Sequence, residues 1–163
     1  LGFAFWKDKE TWKCKPVKDR IQRLYSKVKE ITCRKRAVAK TMAVTFTKLN
    51  QVIRGWINYF RIGSMKGQMK LFGEWMRHKV RVVVIKQWKN GATIYRNLQK
   101  LNKLFKCNIV DEDIYKVANS RLGWYKRSNG DVVNYLTSPK VLAKKTKSRP
   151  VLVDPLQYYL SSS

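Results

Sequence analysis

The sequence predicts a mainly α protein: a three-helix bundle, preceded by a short β-hairpin and followed by a smaller, mostly helical C-terminal region. Three observations carry this. Apolar residues recur at helical spacing in three successive stretches between residues 15 and 90. Short connections separate those stretches, as antiparallel bundle neighbours require. Aromatic residues flank a charged turn at the N-terminus, Lys7-Asp8-Lys9-Glu10. The expected organisation is therefore residues 1–14 as strands, 15–90 as the three-helix unit and 91–163 as the C-terminal region.

Pro16 suits the first turn of helix one. Val17, Ile21, Leu24, Val28 and Ile31 follow it on one helical face. Thr32 to Lys40 reads as a basic loop. Thr41 is a fair N-cap for helix two. Its stripe is Met42, Phe46, Leu49, Ile53, Trp56, Ile57 and Phe60, with Gly63 as the stop and Gly55 as a point of close helix packing. Ser64 is expected to cap helix three, with Met65, Met69, Phe72, Met76, Val80, Val83 and Gln87 as its stripe and Asn90-Gly91 as its end. Val80 to Ile85 is also a strand signal, because β-branched residues favour strands. The period entering from Met65 decides for helix. Ile94 to Leu104 reads helical. Asp111-Glu112-Asp113 opens a short helix, with Asp111 as its cap, and Asp131 to Leu136 forms another. From Pro139 the chain is basic and proline-punctuated, with Lys144, Lys145, Lys147, Arg149, Pro150 and Pro155.

Charge narrows the function. The chain has 36 Lys+Arg against 10 Asp+Glu, a formal charge of +26 in 163 residues. Between Ile31 and Val110 there are 18 cations and one carboxylate, Glu74. Self-repulsion at that density costs stability. The densest common partner for such a field is nucleic acid. The longest apolar run is Val82 to Ile85, so no bilayer-spanning helix and no membrane partner are expected. Cys14, Cys33 and Cys107 are scattered and His78 is the single histidine, which leaves no zinc pattern and suits reduced thiols in a cytoplasm. Nucleotidyl transfer needs clustered carboxylates to hold metal ions. The one acidic cluster, at 111–113, reads as a helix N-terminus. No catalytic residue, metal site or cofactor is expected in this chain.

The candidate contacts fall in three groups. Arg54, Asn58 and Arg61 share one side of helix two and can meet phosphates and sugar hydroxyls. Lys70, Arg77, Lys79, Arg81, Lys86 and Lys89 spread over the polar side of helix three, so the two faces are expected to form one surface. Arg121, Trp124, Tyr125, Lys126 and Arg127 cluster around Gly123, where cations and stacking aromatics suit single-strand or backbone recognition. That segment is expected to make a contact separate from the bundle.

These segments resemble a known family. Leu1-Gly2-Phe3 with Phe5, Leu49-Asn50 running to Arg54-Gly55-Trp56-Ile57-Asn58-Tyr59-Phe60, Trp75-Met76-Arg77 running to Lys86-Gln87-Trp88-Lys89, and Ala118-Asn119-Ser120-Arg121-Leu122-Gly123-Trp124 occur in this order in bacterial group II intron reverse transcriptase/maturases. The resemblance covers roughly residues 1 to 137. It implies that residues 1–14 are the last strands of a polymerase palm whose catalytic aspartates lie upstream. It implies that the three helices are the thumb, also called domain X or the maturase-specific domain, which grips template–primer and intron RNA and supports splicing. The segment after Lys89 would match the region called D, associated with a DNA target. The implied parent is an RNA-directed DNA polymerase needing Mg, in the bacterial cytoplasm. No His-Asn-His or zinc-finger nuclease segment follows, so endonuclease activity is not implied. The competing reading is an autonomous, sequence-nonspecific all-α nucleic-acid-binding protein.

Overall fold

In the computed structural model, which describes residues 1–145 and 150–161, the chain is mainly helical with one two-stranded sheet. Strands β1 (Phe3–Asp8) and β2 (Thr11–Pro16) pair antiparallel, with Phe3 opposite Pro16 and Asp8 opposite Thr11. Lys9 turns the hairpin at φ 55°, a conformation that costs a non-glycine residue about 1–2 kcal/mol. Pro16 ends β2 rather than opening a helix, and Val17 is the N-cap of α1 (Lys18–Ile31). The expected basic loop contains a single helical turn, α2 (Arg34–Ala37). Its lone buried residue, Ala37, anchors it.

Helix α3 (Met42–Phe60) starts at Thr41, whose side chain accepts a hydrogen bond from the Val44 amide at 3.4 Å. Its stripe is the core: Phe46, Leu49, Ile53, Ile57 and Phe60 are buried, and Met42 and Trp56 pack on its edge. Helix α4 (Lys66–Gln87) takes Met65, not Ser64, as its N-cap, and Val80–Ile85 is helical throughout. Twenty-two residues give α4 about 33 Å of length. That length lets it serve two cores. Met69, Phe72, Met76 and Val80 join α1 and α3, while Ile85 belongs to a second cluster. Gln87 is not an apolar stripe residue: its amide donates to the Ala37 and Lys40 carbonyls and ties α2 to the end of α4.

The second cluster is built by α5 (Gly91–Phe105), α6 (Asp111–Ala118) and α8 (Asp131–Leu136) through Ile94, Leu98, Ile114, Ala118, Val133 and Leu136. Asn90 caps α5 by accepting from the Thr93 amide at 2.9 Å. Val110, not Asp111, is the N-cap of α6. Asp111 instead accepts from Tyr95 Oη and Gln99 Nε2, stapling α6 to α5. Those bonds hold its carboxyl below the usual carboxylate range and push the Tyr95 phenol up.

Between them, α7 (Trp124–Ser128) lies against α4. After α9 (Pro139–Leu142) the chain returns to the first bundle, and α10 (Pro155–Leu160) packs on α4 and α3. Leu142, Leu152 and Val153 complete the first core. Asn50, buried on α3, holds this return like a missing strand. Its amide donates to the Val151 carbonyl at 2.6 Å, and its Oδ1 accepts from the Val153 amide at 2.9 Å. Gly73 admits α10, since a Cβ there would meet Arg77 Nη1 at 2.9 Å and Pro155 Cδ at 3.4 Å. Gly55 does not mediate packing: a Cβ there would meet nothing within 4 Å. Lys147 and Arg149 lie outside the described residues.

Candidate nucleic-acid interface

The outer face of α3 carries the first cluster. Arg54 and Asn58 are exposed and Arg61 is half-buried, one helical turn beyond Asn58. Arg61 Nη2 donates to Asn58 Oδ1 at 2.9 Å, and Tyr158 Oη donates to the same oxygen at 3.0 Å. The Arg61 and Arg54 guanidiniums lie over the Tyr158 ring, 5.4 and 6.0 Å from its centre. An aromatic face under two cations holds them without neutralising them. Arg61 Nε is buried with no hydrogen-bond partner among the described residues. Tyr158 was not a sequence candidate, because α10 has six residues and is too short to show a period.

A groove of roughly 630 Å³ opens between α1 and α3. Trp56, Tyr59, Phe60 and Val52 floor it, and Arg20, Arg23 and Lys27 of α1 rim it. Gly55 contributes its openness by lacking a side chain. Trp56 is set by its indole N–H, which donates to the Arg20 carbonyl at 3.3 Å. The α1 cations share one helix face by their spacing, a signal that was available in the sequence.

The second cluster joins α4 to α7. The His78 ring lies on the Tyr125 ring at 4.1 Å, with its Nε2 3.2 Å from the Tyr125 carbonyl oxygen. Lys79 Nζ sits 5.7 Å from the Trp75 ring centre and 6.0 Å from that of Tyr125. Lys79, Tyr125, Lys29, Arg34, Thr32 and Cys33 line a concavity of roughly 260 Å³. Three cations from α1, α2 and α4 thus converge beside an exposed aromatic, and none of the three makes an ion pair within 4 Å among the described residues. Burial pushes the His78 imidazole below its ordinary pKa, with Arg81 and Lys79 adding to the shift and the Tyr125 carbonyl opposing it.

Two expectations are corrected by this geometry. Residues 124–128 do not stand apart from the bundle, because Tyr125 packs on His78 of α4. Nor do Arg77 and Arg81 share the open face of α4. The Arg77 side chain is 11% exposed and pairs with Asp154 at 3.3 Å. Arg81 is 8% exposed, and donates from Nε to Thr137 Oγ1 at 2.7 Å and from Nη2 to the Thr137 carbonyl at 3.2 Å. Thr137, just past α8, and α10 with its N-cap Asp154 cover the side of α4 that its own sequence leaves polar.

The other candidates separate. Lys70, Lys89, Arg121 and Lys126 are exposed, and Lys86 is half-buried. Trp124 is half-buried against the second core, with the Arg127 guanidinium 5.3 Å from its ring centre. Arg127 Nη2 also donates to the Ser120 carbonyl, so Arg127 clamps the 120–127 loop. Among the described residues, no group of three or more His, Cys, Asp or Glu side chains could hold a metal ion, and no helix is long and apolar enough to cross a membrane.

The family model described as group II intron, maturase-specific domain matches residues 21–102. That match runs from α1 through most of α5. It takes in the three-helix core, the α1/α3 groove and the α4 half of the His78–Tyr125 contact. No curated protein matches the chain.

Proposed function

We propose that this chain, which belongs to the group II intron maturase-specific domain family, is the RNA-gripping thumb of an intron-encoded reverse transcriptase and supports intron splicing. The observation that carries the reading is the meeting of Lys29, Arg34 and Lys79 with Tyr125 in one concavity. Cations without acidic partners hold backbone phosphates, and an exposed ring stacks on a base or sugar. Arg54, Asn58 and Arg61, gathered around Tyr158, add a second set of contacts on α3. Residues 1–14 correspond to the end of the palm. On this reading the α1/α3 groove takes the template–primer, and the region after Lys89 meets a DNA target. On this reading the chain carries no polymerase, nuclease or ligase activity, and Mg-dependent chemistry belongs to the palm of the parent.

The test is filter binding of a group II intron RNA against an unrelated structured RNA of equal length. Preference for the intron RNA by tenfold or more supports the reading. Equal binding supports an autonomous, nonspecific binder instead.

A further inference from the structure

The two inward-turned arginines of α4 are not needed by the interface above, and they pose an electrostatic problem. They lie four residues apart on one helix face, where like charges repel. Arg77 is answered by Asp154. Arg81 is not. More than nine-tenths of it is buried, its hydrogen bonds go to the neutral Thr137, and no carboxylate lies within 4 Å of it among the described residues. A buried charge without a counter-charge is destabilising. Burial, with Arg77 second, pushes its pKa down to about 10, so it still carries its charge at neutral pH.

The surface that Arg81 does expose faces a pocket of roughly 430 Å³, lined by Arg77, His78, Asn129 and Asn134, with Glu74 as its one acid. Asn134 Nδ2 is committed to the Asn129 carbonyl at 2.9 Å. Glu74 makes no ion pair within 4 Å among the described residues.

We propose that this pocket between α4 and the 129–139 segment is a phosphate-binding site in which Arg81 is the anchor. Its Nε and Nη2 already hold Thr137, so a phosphate would meet the remaining edge of the guanidinium, and Arg81 itself is already desolvated, which strengthens the contact. Entry of the anion supplies the counter-charge that the fold withholds. The proposal deepens the RNA-binding reading and rests on it only for the source of the phosphate, a backbone diester or a free or terminal group.

The chain carries its own reporter, since His78 is its single histidine and lines the pocket. The imidazole faces Arg77, Lys79, Arg81 and Glu74 from α4, and Tyr125 from α7. The ring can be titrated by NMR in chloride, in inorganic phosphate at the same ionic strength, and with a short RNA lacking terminal phosphates. Bound phosphate should raise the His78 pKa. Glu74→Gln is a surface change that leaves folding intact. Removing its repulsion across one to two helical turns should tighten phosphate binding about two- to fivefold. Arg81→Lys keeps the charge but loses the fork, and should weaken phosphate binding tenfold or more.

A rise with phosphate and with RNA, each lost in a folded Arg81→Lys, marks a backbone site, and a rise with phosphate alone marks a free or terminal group. No rise with either overturns the proposal, even if filter binding shows the RNA bound elsewhere. Unchanged phosphate affinity in a folded Arg81→Lys also overturns it. A rise with phosphate in a chain that fails to bind intron RNA keeps the pocket and removes the function proposed above.

Discussion

Replacing Asn50 with alanine should release the C-terminal return from the bundle. The side chain makes two bonds to backbone more than a hundred residues away, to Val151 and Val153. Each contributes about 0.5–1.5 kcal/mol net, and the buried Val153 amide, once orphaned, adds a desolvation penalty of about 1–3 kcal/mol. The terms overlap, so the expected loss is about 2–4 kcal/mol. For a chain of this size, each kcal/mol lowers Tm by about 2–4 °C, which predicts a drop of roughly 5–15 °C. Thermal melts followed by circular dichroism read this directly. Limited proteolysis should cut within residues 150–154 faster in Asn50→Ala than in the parent. Asn50→Asp should be worse at pH 7, because a carboxylate accepts from the Val153 amide but faces the Val151 carbonyl with no proton. It should recover as pH falls and the carboxyl gains one. A parent-like Tm and parent-like cleavage in Asn50→Ala would refute the clasp, and with it the placement of Tyr158 beneath Arg54 and Arg61.

Further outcomes follow from the same geometry. Arg77→Ala should destabilise by about 1–3 kcal/mol, since it strands the part-buried Asp154, while Arg54→Ala should leave the melt within about 0.5 kcal/mol of the parent. Equal melts for the two would contradict the inward placement of Arg77. Tyr125→Ala should weaken RNA binding by about 1–3 kcal/mol at every salt concentration without changing the salt slope, whereas Lys79→Ala should lower the slope by about one. Stability should fall as pH drops below about 6.5, because the folded state disfavours protonated His78 and the unfolded chain then binds more protons. His78→Phe keeps a ring on Tyr125 and should flatten that window in urea titrations at successive pH values.

What the sequence disclosed depended on whether the signal was local. Stripes such as Phe46, Leu49, Ile53, Ile57 and Phe60 repeat within one helix, and the helices formed where the period put them. The maturase-specific resemblance rested on the same blocks and is matched over residues 21–102. Arg77 and Arg81 were misplaced because helical periodicity describes one buried face and α4 has two. Its second cover comes from Thr137, just past α8, and from α10, which has six residues and is too short to show a period. Tyr158 was invisible for the same reason. Gly55 fits a close-packing reading and an open-groove reading equally well until its neighbours are known. The Lys29, Arg34, Lys79 and Tyr125 concavity draws on four separate elements, so no window of sequence could contain it.

On the proposed reading, a cationic surface on a stable helical core grips RNA through its phosphates. The most direct measurement is the affinity of the chain for structured intron RNA across salt concentrations. Neutralising six to eight phosphates predicts a slope of log K against log salt of roughly −4 to −7. A slope shallower than about −2 would contradict a footprint of that size.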